Sequence, residues 1–258
     1  MRTLRIGLCQ INTTVGDIKG NTKKILDYIA RGKKKGVDLI VFPEMAVTGY
    51  PPEDLLFMPK FIEANLKAIK KIAQATSSIT AIVGFVHKKG NIFNSAALLH
   101  HGKLMGVYSK TYLPNYGVFD EDRYFQAGEE NFIFTLKSTP IGMSICEDLW
   151  YPGDPIRTQA LYGGAELIVN ISSSPYQAGK TAFREKMIST RASDNVAIVA
   201  YCNLVGGQDE LVFDGGSVIF DQRGELMVRG KQFEEDLVLA DLDMEAVFRM
   251  RLHDPRVR

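Results

Sequence analysis

The chain has 258 residues, with 31 Lys and Arg against 30 Asp and Glu, a formal net charge of +1. That balance gives no basic excess of the kind a nucleic-acid partner asks for, and no apolar run approaches the roughly 20 residues of a membrane span. Apolar residues at 45% and charged residues at 24% describe a globular protein, long enough for one large α/β domain over residues 1–258.

The first segment, MRTLRIGLCQINTTVG, alternates apolar and polar positions and lacks the apolar core of a signal peptide. Leu4 to Ile11 reads as a strand and Asn21 to Lys35 as a helix with Ile25, Tyr28 and Ile29 on one face. Lys33, Lys34 and Lys35 then suit the negative end of the helix dipole. Val37 to Phe42 is a continuous apolar run ended by Pro43, the pattern of a strand buried on both faces. A helix over Phe61 to Ala75 and a strand over Ile79 to Val86 follow, then strands Ile92 to His100 and Lys103 to Ser109 across the His101-Gly102 turn. Lys110 to Glu130 carries no periodicity but five aromatic residues, so it reads as a long ordered loop, and such loops usually serve function.

Phe132 to Leu136 and Ile141 to Ile145 are two more predicted strands, and Pro155 to Tyr162 a helix. Leu167 to Ile171 predicts a strand, Lys180 to Ser193 a helix and Val196 to Tyr201 another strand. Ser217 to Phe220, Leu226 to Arg229 and Leu237 to Ala240 read as antiparallel strands joined by turns. Many strands with fewer helices predict sheets packed face to face with helices outside. The glycine pairs Gly206-Gly207 and Gly215-Gly216 fit turns better than a phosphate-cradling loop.

Three reactive side chains directly follow predicted buried strands: Glu44 in LIVFPEMAVTGYPPEDLL, Lys110 after Val107-Tyr108-Ser109, and Cys146 in PIGMSICEDLWYPG. Read singly, each has an ordinary structural explanation: a strand-end carboxylate, a solvent-facing lysine, an inert buried thiol. Together they form a catalytic set. A thiol needs a base to become a nucleophile, a partly desolvated carboxylate can accept that proton, and an ammonium can hold an oxyanion. His87, His100, His101 and His253 follow no motif that would bring one beside Cys146. Cys9 and Cys202 lie within or at the edge of an apolar strand, without a charged partner nearby in sequence, and read as inert core. Three widely spaced cysteines without a CxxC pair argue against disulfides or a zinc site and fit the cytoplasm.

At these residues the chain resembles the nitrilase superfamily of carbon–nitrogen hydrolases, whose members place a Glu–Lys–Cys triad at strand ends. It is most similar to one branch, the glutaminase domains of glutamine-dependent NAD synthetases. The segments that carry this are FPEMAVTGYPPEDLL, KTYLPNYGVFDEDRYFQAG, CEDLW, NISSSPYQAGK, NLVGGQDELVFDGGS and RLHDPR. The resemblance implies a four-layer α-β-β-α sandwich, with Glu44 as general base, Lys110 as oxyanion stabiliser and Cys146 as nucleophile. It implies that Glu121, eleven residues after Lys110, orients the lysine and the substrate. It also implies a glutamine site from Tyr116, Ser174 and Lys180, walled by Tyr50 and Trp150.

Such chemistry implies no metal or organic cofactor. ATP and Mg belong to the synthetase domain of that branch, whose SGGxDS loop does not occur here. The expected partners are therefore glutamine, a synthetase domain or subunit, and further copies of the chain in a homo-oligomer. The alternatives are an amidase for another ω-amide or carbamoyl compound, and a non-catalytic subunit, against which the intact Glu44–Lys110–Cys146 set argues.

Overall fold

The computed structural model describes residues 2–257. Strand β1 (Thr3–Gln10) is an inner strand of the first sheet, next to its edge, and its alternation decides which side is which. Leu4, Ile6 and Leu8 point toward a second sheet, whereas Cys9 points toward a helical layer. That layer holds α1 (Ile18–Lys34) and α2 (Pro59–Gln74). Asp17 caps α1 by accepting from the Gly20 N–H at 2.8 Å, and Arg31, Lys33 and Lys34 close it, where cations meet the helix's free carbonyls. Pro59 opens α2, where its missing N–H costs nothing.

The first sheet also contains β2 (Leu39–Val41), β3 (Thr80–Lys89), β4 (Asn91–His100) and β5 (Lys103–Ser109). The second contains β6 (Ile133–Leu136), β7 (Thr139–Ile145), β8 (Leu167–Ser172) and β9 (Ile198–Asn203), with β8 parallel to both β7 and β9. Between β8 and β9 the chain passes through α3 (Lys180–Asn195), which covers the outer face of this sheet with the π-turn Thr158–Tyr162 beside it. After β9 come a small hairpin, β10 (Val205–Gln208) and β11 (Leu211–Asp214), then β12 (Val218–Phe220), β13 (Leu226–Arg229), β14 (Asp236–Asp243) and α4 (Met244–Arg251). The strand orders are β14-β1-β2-β3-β4-β5 and β13-β12-β9-β8-β7-β6. Ile141, Met143, Ile145, Leu167, Val169 and Ile171 meet the inner face of β1 to form the central core. The result is the four-layer α-β-β-α sandwich.

Four sequence readings need correction. The strand predicted from Val196 starts at Ile198, because Val196 takes φ +46° to close α3. Gly206 and Gly207 lie within β10 rather than in a turn, and Gly215-Gly216 is the turn that leaves β11. The last three predicted strands do not form one meander: β12 and β13 extend the second sheet, and β14 crosses to pair with β1 in the first. Helix α4, capped by Asp243, was not anticipated. Among the described residues no helix is long and apolar enough to cross a membrane.

Candidate active site

Glu44 stands three residues past β2, Lys110 directly after β5, and Cys146 directly after β7, so the sandwich brings a carboxylate and an ammonium from one sheet to a thiol from the other. Glu44 and Lys110 are each 1% exposed, Glu121 and Cys146 each 4%. Lys110 Nζ donates to Glu44 Oε1 at 2.9 Å and to Glu121 Oε1 at 2.8 Å. An ammonium has three donors, so one remains.

Each carboxylate is held from a second side. Asn94 Nδ2, on β4, donates to Glu44 Oε1 at 2.6 Å and to Glu121 Oε2 at 3.3 Å, and the Tyr50 hydroxyl donates to Glu121 Oε1 at 2.9 Å. The Ser173 N–H donates to Glu44 Oε2 at 2.8 Å, and the Ser173 hydroxyl to the Glu44 carbonyl at 3.0 Å. Glu44 Oε1 thus accepts two bonds while Oε2 accepts one, leaving Oε2 a lone pair to take a proton.

The charges fit this geometry. Burial works against the Lys110 ammonium, but the carboxylates of Glu121 and Glu44 outweigh it and hold its pKa well above the ordinary lysine value. Burial pushes Glu121 up to about 7, with Lys110 opposing and Glu44 adding. Burial, with Glu44 adding and Lys110 opposing, raises the Cys146 thiol above its ordinary range. The resting group is therefore a thiol, and attack by its sulfur requires a base within the site. Cys146 sits at φ +42°, a left-handed conformation that costs a side-chain-bearing residue roughly 1–2 kcal/mol. It is held there at the sharp turn between β7 and the short helix Cys146–Leu149.

Cys146 opens into a cavity of about 510 Å³, and Tyr116, Glu147, Trp150, Ser174 and Lys180 are in its lining together with Glu210, Leu211 and Val212 from the β10–β11 hairpin. Lys180, the first residue of α3, lies with its ammonium 5.6 Å from the Trp150 ring centroid and bonds to the Pro175 carbonyl at 3.3 Å. Burial lowers its pKa. The Tyr116 hydroxyl donates to both oxygens of Glu147, at 2.9 and 3.1 Å.

Tyr50 departs from expectation. It is not in the cavity lining; its ring packs edge-on against Phe213, with centroids 6.3 Å apart, and its hydroxyl supports Glu121. It packs with Met45, Leu56 and Phe125 and lines a different cavity, on the Glu121 side.

Sequence reasoning missed Asn94, Ser173 and Asp148. Asn94 had a signal, a lone amide in the strand pattern IFNSAALLH; so did Asp148, a carboxylate two residues past the nucleophile candidate. Ser173 had none, since it works chiefly through its backbone.

Residues 5–251 match the carbon–nitrogen hydrolase family. A glutamine-dependent NAD(+) synthetase from Thermotoga maritima is 45% identical over 260 residues, covering 100% of this chain and 45% of that protein. The Aquifex aeolicus protein of the same name is 46% identical over 99% of this chain and 45% of its own length. This chain therefore spans less than half of these relatives. Among solved structures, a glutamine-dependent NAD+ synthetase from Acinetobacter baumannii aligns with TM-score 0.90 and 37% identity, over 95% of this chain and 46% of that one. An amidase from Nesterenkonia AN1 aligns with TM-score 0.84 and 26% identity over 97% of this chain and 95% of its own. Another structure of that amidase carries the acetamide moiety of fluoroacetamide on its active-site cysteine.

Proposed function

This chain belongs to the carbon–nitrogen hydrolase family, and from that membership we propose that it hydrolyses the side-chain amide of glutamine through a thioester on Cys146. The observation that carries the reading is the unspent donor of Lys110. Two of its N–H groups are committed to Glu44 and Glu121, and the third is left for an oxyanion formed at the buried thiol.

Glu44 Oε2 takes the thiol proton as Sγ attacks the amide carbon. The oxyanion is held by Lys110 and the backbone N–H of Glu147. Glu44 returns the proton to nitrogen, the C–N bond breaks, and ammonia leaves a glutamyl thioester. Water then attacks the thioester and gives its proton to Glu44. As the second tetrahedral intermediate collapses to glutamate, that proton goes back to sulfur. Every step uses groups of this chain and water, without a metal or organic cofactor.

Glutamine also carries an α-carboxylate and an α-ammonium, and the cavity offers charge for both. Lys180, with Ser174 beside it, suits the carboxylate, while the Glu147 carboxylate suits the ammonium, and the Tyr116 hydroxyl fixes Glu147 in place. Trp150 forms an apolar wall for the methylenes. A short aliphatic amide would use neither charge, which is why glutamine is preferred over the general amidase reading. The names of the relatives extend the proposal: the ammonia passes to an ATP-using synthetase domain or subunit that forms NAD(+).

The test is intact mass after incubation with an electrophilic glutamine analogue. One adduct on the parent and none on Cys146→Ala is expected. A parent that stays unlabelled while chloroacetamide modifies Cys146 would overturn the glutamine pocket; an adduct that survives Cys146→Ala would overturn the nucleophile.

A further inference from the structure

Asp148 is fully buried and is not among the residues lining the cavity at Cys146, yet its two oxygens take hydrogen bonds from the chain on both sides of the reaction centre. Oδ1 accepts from the backbone N–H groups of Thr111 at 3.1 Å and Tyr112 at 3.0 Å, the two residues that follow Lys110. Oδ2 accepts from the backbone N–H of Ile145 at 2.9 Å, the residue before Cys146, and from the Tyr108 hydroxyl at 2.7 Å, two residues before Lys110. Lys110 comes from the first sheet and Cys146 from the second; in the core these sheets meet through apolar side chains, which make no directional bonds, and near the site Ser173 links them through its two bonds to Glu44. Four donors on one carboxylate do set a register, because each bond is directional and the group has no water to fall back on.

We infer that Asp148 is a positioning residue that fixes the Lys110 ammonium relative to the Cys146 sulfur by clamping the backbone beside both, and so acts on formation of the tetrahedral intermediate rather than on substrate binding. The inference rests on the reading of Lys110 as oxyanion donor and Cys146 as nucleophile. Ser174 and Lys180, after β8 and at the start of α3, make no hydrogen bond to Asp148, and the cavity residues that flank it are held by other bonds, Glu147 by the Tyr116 hydroxyl and the Trp150 carbonyl by Arg191. Burial raises Asp148 to about 6, with the Tyr112 N–H, the Tyr108 hydroxyl and the Ile145 N–H opposing, in keeping with these donors stabilising its charged form.

The test is Asp148→Asn, studied in the whole chain. If the amide oxygen keeps the Thr111 and Tyr112 bonds, its NH2 meets the Ile145 N–H donor to donor, and the strand end carrying Cys146 must shift. Misplacement on the scale of 1 Å costs about 100-fold in rate, so kcat should fall by about that factor while KM stays within about twofold. Alkylation of Cys146 by chloroacetamide, a displacement that develops no oxyanion and so needs no aligned lysine, should stay within about threefold of the parent. Unchanged kcat, a loss carried by KM, or alkylation falling in step with kcat would each overturn the inference, the last by showing collapse of the turn that holds the nucleophile. Should Asp148→Asn not fold, Tyr108→Phe removes one donor from Oδ2 and spares the backbone bonds. It should lower kcat by about 3- to 10-fold at unchanged KM, and full kcat there would overturn the inference. A parent that ignores glutamine but hydrolyses propionamide would sink the glutamine reading alone, since the ratio of variant to parent is then read on propionamide.

Discussion

Two carboxylates and one ammonium share a site from which water is nearly excluded, so their net charge depends on whether Glu121 keeps its proton. Burial raises Glu121 to about 7, well above its value in an unfolded chain. The folded state therefore binds a proton that the unfolded state has already lost between about pH 4.5 and 7. The stabilisation this gives is complete below the unfolded value and is lost as pH rises through about 7. Glu121→Gln removes that titration and leaves the bond from Lys110 to Glu44. The stability of the parent minus that of the variant should fall between pH 4.5 and 7, by on the order of 2 to 3 kcal/mol. Urea titrations at three pH values read it directly, and a difference that rises or stays flat would refute the assignment. At this scale strand-end position singled out Glu44, Lys110 and Cys146 in the sequence, whereas Glu121 was implied only by the family resemblance. The sequence hid Asn94 and Ser173, whose parts in holding Glu44, and for Asn94 also Glu121, appear only once β4 of one sheet and the end of β8 of the other converge on Glu44.

At the level of elements, the cavity wall depends on a join between α3 and β11. Arg184, on α3, makes two bonds to Asp214, at 3.0 and 2.7 Å, where β11 ends, and both side chains are 1% exposed. The Tyr201 ring lies 5.7 Å from the guanidinium carbon. The same helix begins with Lys180, and the same hairpin supplies Glu210, Leu211 and Val212 to the cavity. Removing one partner of a buried pair leaves the other charge unpaired, so Asp214→Ala should destabilise the protein by about 3–5 kcal/mol. Arg184→Met with Asp214→Leu removes both charges and should recover most of that stability. Chemical denaturation distinguishes the cases, and a double variant as unstable as the single would mean that packing around Arg184, not its charge, is what matters. An apolar pair also lacks the rigid two-bond link, so the double variant should show a raised KM for glutamine. Neither the join nor the hairpin was legible beforehand. The Gly206-Gly207 pair beside acidic residues read as a turn, whereas in the strand Gly206 takes φ +123° against Asn12, and a single arginine on an amphipathic helix looks like surface.

The whole molecule places its three thiols in different settings, although all three are buried. Cys146 lines the cavity, whereas Cys9 faces the helical layer and Cys202 sits between the sheets, where its Sγ lies 3.5 Å from the Val41 carbonyl and 3.6 Å from that of Cys9. The sequence marked Cys9 and Cys202 only as inert core; which layer each faces follows from the strand pleat, since one residue's step along a strand changes the face it occupies. The exchange of β14 into the first sheet was not legible, because its pairing with β1 joins Thr3 to Asp243 across nearly the whole chain. That long-range closure ties the core thiols to global unfolding rather than to local opening. Under native conditions chloroacetamide should add once per chain, at Cys146, and Cys146→Ala should take no label. Through a urea transition the parent should move to three labels and the variant to two, with the added labels appearing together at the midpoint where amide hydrolysis by the parent disappears. Labelling of Cys202 well before that midpoint would mean that the sheets separate while the outer layers persist. In that case the site, which draws Lys110 from one sheet and Cys146 from the other, should lose activity at the earlier step too.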